Sequence, residues 1–200
     1  MNYEEQIMKI PSDANFLKNK DISDILFAYL YLVSYPDENG KMKLNRYKFN
    51  GAKFFDMDKR TYYKKLAALE DNKHIKIENQ MIEVKCNRLK NYCWIPRSTL
   101  EVLVGSKIPN IIKVYISLMI FYENHTDSWF TCKSLLEQIG YSGMKQSSNN
   151  KKIKEMLKYL QDYDLIDFKV EHCKEYNCFR YKILKVNKGV KKHEKNILDT

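Results

Sequence analysis

Asp58-Lys-Arg-Thr-Tyr-Tyr-Lys-Lys-Leu-Ala-Ala-Leu-Glu-Asp-Asn-Lys-His-Ile75 is the stretch whose reading decides the fold. Tyr62, Leu66 and Leu69 are spaced by four and then three residues, which lines them up along one face of a helix. Asp58 stands at the N-cap position, where a carboxylate accepts from the free N–H groups of the first turn. The helix is predicted to fray near Asn72. Beyond it, Ile75, Ile77, Ile82 and Val84 alternate with Lys76, Glu78, Glu83 and Lys85. That period of two predicts a hairpin turning at Asn79-Gln80. At about 100° per residue, Arg60, Lys64 and Ala67 lie opposite the apolar stripe, flanked by Thr61 and Tyr63.

A helix with one apolar and one short basic face, running straight into a hairpin, is a recognition-helix-and-wing pattern. Residues Asp58 to Cys86 resemble a winged-helix domain on this ground. The resemblance implies an α+β, mainly helical fold in which Lys59, Arg60, Thr61, Tyr63 and Lys64 face DNA.

Upstream, Asp21–Tyr35 carries Ile22, Ile25, Leu26, Tyr29, Leu32 and Val33 at helical spacing. Pro36-Asp-Glu-Asn-Gly40 supplies turn chemistry. Lys41–Leu44 reads as a short strand. Arg46–Phe55 reads as a positioning helix weakened by Gly51. Residues 1–20 read as polar and irregular, with an extended Lys9-Ile-Pro-Ser12.

Downstream, the order repeats. Trp94-Ile-Pro-Arg-Ser98 echoes Lys9-Ile-Pro-Ser12, with Pro96 lying 85 residues after Pro11. Pro109–His125 is a second long helix, Thr126-Asp-Ser a turn and Thr131–Ile139 a second positioning helix. Asn149–Asp162 is a second recognition helix, its stripe being Ile153, Leu157 and Leu160. Asp167–Cys173 and Cys178–Val186 form a second hairpin. Ile153 registers on Tyr62 at a spacing of 91, and Ile139 on Phe55 at 84. The difference is a seven-residue insertion within Tyr141–Ser148. A repeat of this period indicates duplicated domains. The expected organisation is a tail at 1–8, a first winged-helix domain at 9–86, a linker at 87–93, a second domain at 94–186 and a flexible basic tail at 187–200.

The 200-residue chain is 44% apolar, with 15 Tyr and 9 Phe, so a packed core is expected and wholesale disorder is not. Its formal charge of +10 comes almost entirely from lysine, with 30 Lys against 5 Arg. That balance favours polyanionic partners, although the wealth of Lys, Asn, Ile and Tyr also fits AT-rich coding. Cysteines at 86, 93, 132, 173 and 178 show no Cys-x-x-Cys spacing. Met1-Asn-Tyr-Glu-Glu lacks the pattern of a signal peptide. Apolar runs of nine residues are too short for a membrane span, which needs about 20. A cytoplasmic protein with reduced thiols is expected.

In the second copy, Asn150, Lys151, Lys152, Lys154 and Lys158 are the DNA-facing candidates, with Lys145 and Gln146 from the insertion. Glu155 occupies the position of Lys64 and departs from a plain phosphate-facing surface. It suits a cytosine amino group or a pairing with Lys151 or Lys158. His172, Cys173 and Cys178 fall together across a hairpin turn but lack zinc-site spacing, so no metal is expected. His74 and His125 are expected to meet the last carbonyls of their helices. Tyr29, Tyr31 and Tyr35 read as core packing. No phosphate-cradling glycine loop, Ser–His–Asp arrangement or carboxylate pair is present, so neither enzymatic activity nor a cofactor is expected.

Two winged helices on one small basic chain resemble plasmid and phage replication initiators and related primosome proteins. The resemblance implies double-stranded DNA as partner at an origin or operator of a mobile element. It further implies association with replication or transcription machinery, as a monomer or homodimer. A transcriptional regulator of the same fold and a winged-helix protein-binding adaptor or inhibitor are the alternatives.

Overall fold

The computed structural model describes residues 6–45, 51–85, 91–124, 129–141, 146–175 and 177–187, without the side chains of 146–149. The expected helix start at Arg46–Asn50, Cys86, most of the 87–93 linker, His125, the 126–128 turn, Lys145 and the tail beyond Asn187 lie outside these residues. Among the described residues, eight helices and nine strands form an α+β fold with antiparallel sheets.

The chain opens with β1 (Ile7–Pro11), α1 (Ala14–Lys18) and α2 (Asp24–Val33). β2 (Tyr35–Pro36), β3 (Met42–Asn45), α3 (Gly51–Phe54), α4 (Lys59–Asp71), β4 (Ile75–Glu78) and β5 (Met81–Val84) follow. β6 (Tyr92–Pro96), α5 (Arg97–Gly105) and α6 (Ile111–Asn124) begin the second half. It continues with β7 (Phe130–Thr131), α7 (Cys132–Gln138), α8 (Gln146–Asp162), β8 (Ile166–Cys173) and β9 (Cys178–Val186). The first half makes a sheet of order β2-β3-β5-β4 and the second a sheet of order β7-β9-β8. Apart from β2, the two halves therefore share both element order and strand order.

The deciding stretch folds as its pattern requires. Asp58 caps α4, its Oδ1 accepting from the Thr61 N–H at 2.9 Å, and hydrogen bonds from the Thr61 side chain and backbone hold its carboxyl below the ordinary range. Tyr62, Leu66 and Leu69 are buried. At a spacing of 91 the same places on α8 hold buried Ile153, Leu157 and Leu160. Asn79 and Gln80 both adopt positive φ, the geometry of the tight turn that matches strand twist.

Six elements were not legible as such in the sequence, although Lys9-Ile-Pro-Ser12 reads as extended; β2 and β7, of two residues each, are two of them. β1 and β6 pair with each other as an antiparallel ribbon, which draws Ile7 and Met8 out of the expected tail and Tyr92 and Cys93 out of the expected linker. α1 and α5 are the others. Phe16 and Leu17 on α1, and Leu100, Leu103 and Val104 on α5, are buried. α1 is only five residues and α5 nine, too short for a helical period to stand out. The buried side chains of both halves form one continuous core, including Phe27, Leu30, Tyr115 and Leu118 from α2 and α6. No described helix is long and apolar enough to cross a membrane.

Polar groups fasten the halves together. Asp24 at the start of α2 accepts from the backbone N–H groups of Asn110, Ile112 and Lys113 at 2.9–3.1 Å, satisfying the first turn of α6. The Lys113 side chain is fully buried, and its Nζ donates to the carbonyls of Asn19 and Ile22, each at 2.8 Å. Burial pushes its ammonium below the ordinary lysine range. Arg97 bridges in the same way, donating to the Leu32 carbonyl at 3.2 Å and to Gln6 at 3.1 Å.

Candidate nucleic-acid interface

Cations left without carboxylates mark the candidate surface. On the first sheet, Lys43 pairs with Asp37 at 2.7 Å, Lys76 with Glu78 and Lys85 with Glu83. On α4, Lys59, Arg60, Thr61, Tyr63 and Lys64 are all exposed. Lys59, Arg60 and Lys64 form no ion pair among the described residues. Arg60 and Lys64 share the face opposite the buried stripe and Lys59 stands at the exposed N-terminal end, so packing holds the helix while the basic side chains stay in water. Ile77 in the hairpin donates its N–H to Glu70 Oε1 at 2.7 Å, tying the ribbon to the last turn of α4.

α8 presents the corresponding surface. Lys151, Lys152, Lys154, Glu155 and Lys158 are exposed. Asn150 is half-buried and its Oδ1 is enclosed without a hydrogen-bond partner among the described residues. Gln146 opens the helix, and its side chain, like Lys145, lies outside the described residues. Glu155 forms no ion pair with Lys151 or Lys158 among the described residues. It faces, with Lys152, a cavity of about 380 Å³ also lined by Tyr141 and Asn110, whose side chains hydrogen-bond at 2.9 Å. Lys154 and Lys158 lie instead along an open groove of about 260 Å³ between α8 and the β8–β9 ribbon.

The ribbon side of that groove is what residue-by-residue reading missed. Phe168, Val170 and Phe179 line it, and Val170 and Phe179 are exposed. Lys154 Nζ sits 4.8 Å above the Phe179 ring. Alternation along β8 and β9 puts these side chains on the face toward α8. Val170 and Phe179 remain exposed because the ribbon, with strands of eight and nine residues against four in the first half, extends past the helix that covers its base.

Other candidates resolve into structure. His172 stands opposite Phe179, with ring centres 5.1 Å apart. Cys173 and Cys178 face each other as free thiols, and among the described residues no cluster could hold a metal ion. His74 departs from its expected role. Its ring is buried against Phe16 and Phe27, and Nε2 has no hydrogen-bond partner among the described residues. Tyr29 stacks on Phe54 at 4.1 Å and Tyr31 is buried, but Tyr35 is 77% exposed because β2 carries it to the sheet edge. Comparison of the chain with protein-family models, with curated proteins and with solved structures finds no match.

Proposed function

We propose that this chain is a tandem winged-helix protein that binds double-stranded DNA, with α4 and α8 as recognition helices and the β4–β5 and β8–β9 ribbons as wings. One observation carries the reading. Each half sets a packed helix immediately before a hairpin, and each such helix exposes cations without carboxylate partners among the described residues, while in the first half the sheet lysines are ion-paired. Lys59, Arg60, Lys64, Lys151, Lys154 and Lys158 then supply phosphate contacts, whose affinity falls steeply with salt. Arg60, Tyr63 and Glu155 have the chemistry to read base edges. The Phe179–Lys154 pair brings the second wing to the adjacent backbone. Within this reading the protein is a replication initiator of a mobile element. A regulator of the same fold would use the same surface and differ only in where its site lies.

The test is selection of bound duplexes from a random pool at near-physiological salt, with Lys64→Glu and Lys154→Glu run alongside. The expected result is a motif with two elements about one helical turn apart, one element lost in each variant. Lys64→Glu should also lower affinity for the selected duplex by about 10-fold or more. Undiminished binding by that variant removes α4 from the interface. A stable protein partner whose binding is unchanged by Lys64→Glu, with no motif enriched, favours the adaptor reading.

A further inference from the structure

The tip of the β8–β9 ribbon sets two thiols face to face. Cys173 ends β8, Cys178 begins β9, and the strand register makes them direct partners. The two pairs before them show that side chains meet across this ribbon. His172 and Phe179 bring their ring centres to 5.1 Å on the face toward α8. Glu171 and Arg180 pair at 3.6 Å on the other face, and alternation along the strands puts Cys173 and Cys178 on that same face. The register shift in this ribbon lies at its far end, between Asp167 and Phe168. Between the cysteines the chain turns within residues 174–177. Asn177 takes a positive φ of 43° there and donates its N–H to the Lys174 carbonyl at 3.3 Å. Directly opposed residues of an antiparallel pair have Cα atoms about 4.5–5.5 Å apart. A disulfide spans about 4.4–6.8 Å between Cα atoms, so the two sulfurs can join with the ribbon in place.

We propose that Cys173 and Cys178 are a redox-convertible pair, which a small-molecule disulfide such as glutathione disulfide turns into a bridge across the tip of the ribbon. Exposure sets the order of events. Cys178 is half-buried and meets the oxidant, whereas Cys173 is buried. The Cys178 thiolate attacks one sulfur of the glutathione disulfide, whose S–S bond breaks and expels a glutathione thiolate. The Cys173 thiolate then attacks the Cys178 sulfur of the mixed disulfide and expels the second glutathione. The two protein thiols lose two electrons, the oxidant gains them, and the two thiol protons end on the two released glutathiones. The other described cysteines are placed differently. Cys132 is buried, its thiol donating to the Tyr181 hydroxyl at 3.8 Å, and Cys93 stands opposite Ile10 in the β1–β6 ribbon. Once closed, the bridge fastens the strand end that carries Phe179 beside Lys154. This chemistry is independent of whether the ribbon meets DNA.

The 200-residue chain is equilibrated in mixtures of reduced and oxidised glutathione, quenched with acid and alkylated, and its disulfides are mapped by peptide mass spectrometry. The expected product is a Cys173–Cys178 bridge that excess reduced glutathione reopens. Its equilibrium constant against glutathione should be about 10-fold or more larger in the native protein than in the same chain in urea, because the strand register holds the sulfurs together. Cys173→Ser should instead accumulate one glutathionyl group on Cys178, and do so faster than Cys178→Ser accumulates one on Cys173. A Cys178 that bridges to any other cysteine, or a native constant no larger than the unfolded one, overturns the pairing. Equal adduct rates in the two variants overturn the order of attack. Native Cys173 and Cys178 thiols that outlast excess glutathione disulfide overturn the proposal as a whole.

Discussion

His74 ends the turn after α4 with a ring that is 3% exposed and edge-on to Phe16 and Phe27 at 5.2 and 5.9 Å. Burial lowers its pKa below the ordinary 6.5, so the folded protein holds it neutral where the unfolded chain begins to protonate. The unfolded state binds more protons in that window. Stability is therefore full above the unfolded pKa and is lost as pH falls through it toward the folded one. Its repeat mate at a spacing of 91 is Leu165, fully buried in the equivalent place. His74→Leu should keep the packing and remove the titration. Urea midpoints at about pH 7.5 and about 5.5 should differ less in this variant than in the wild type. An unchanged difference would assign the acid sensitivity to other groups. Histidine after a helix suggested a side chain bonded to the last carbonyls. The sequence could not show that a short helix 58 residues earlier, counting from Phe16, would close over it.

Helices α4, α7 and α8 end alike. After α4, Lys73 donates its N–H to the Glu70 carbonyl and His74 donates to Leu69. After α8, Asp164 donates to Gln161 and Leu165 to Leu160. After α7, Gly140 donates to Glu137 and Tyr141 to Leu136. All three are Schellman motifs, which need a left-handed residue at the first position beyond the cap. Gly140 takes it without strain at φ 85°, whereas Lys73 and Asp164 hold φ 62° and 54° with a side chain in place. Lys73→Gly should therefore stabilise the protein by up to about 1 kcal/mol, read as a raised urea midpoint with binding unaffected. A lowered midpoint would mean that chain entropy outweighs the left-handed cost. The helices themselves, their apolar stripes, the Asp58 cap and the Asn79-Gln80 turn were all legible, because each is dictated by residues within a few positions of one another. The Phe179 edge of the candidate interface was not, since alternation says which face a residue takes and not where the covering helix stops.

Across the whole molecule, the seam between the halves carries the polar groups that cannot be replaced cheaply. Lys113→Met keeps most of the volume but strips the donors from the Asn19 and Ile22 carbonyls and leaves Asp24 beside no buried cation. A loss of about 2–3 kcal/mol follows, measurable by urea unfolding, with both halves melting together because they share one core. Gly140 belongs to the same seam. A Cβ there would fall 2.0 Å from the Lys18 carbonyl oxygen on α1, so Gly140→Ala must displace backbone of the other half as well as strain its own φ.

What the sequence determined by itself was the periodic part: two helix-then-hairpin units, their mutual register and the cations opposite each stripe. Local spacing and capping chemistry are sufficient for those, since they depend on neighbours along the chain. Only the tertiary structure decided that the two proline-bearing echoes pair with one another and that two short helices complete the core. It also decided that a buried aspartate and lysine join the halves. These features rest on contacts between residues some 81 to 94 positions apart, and no pattern in either segment specifies its distant partner.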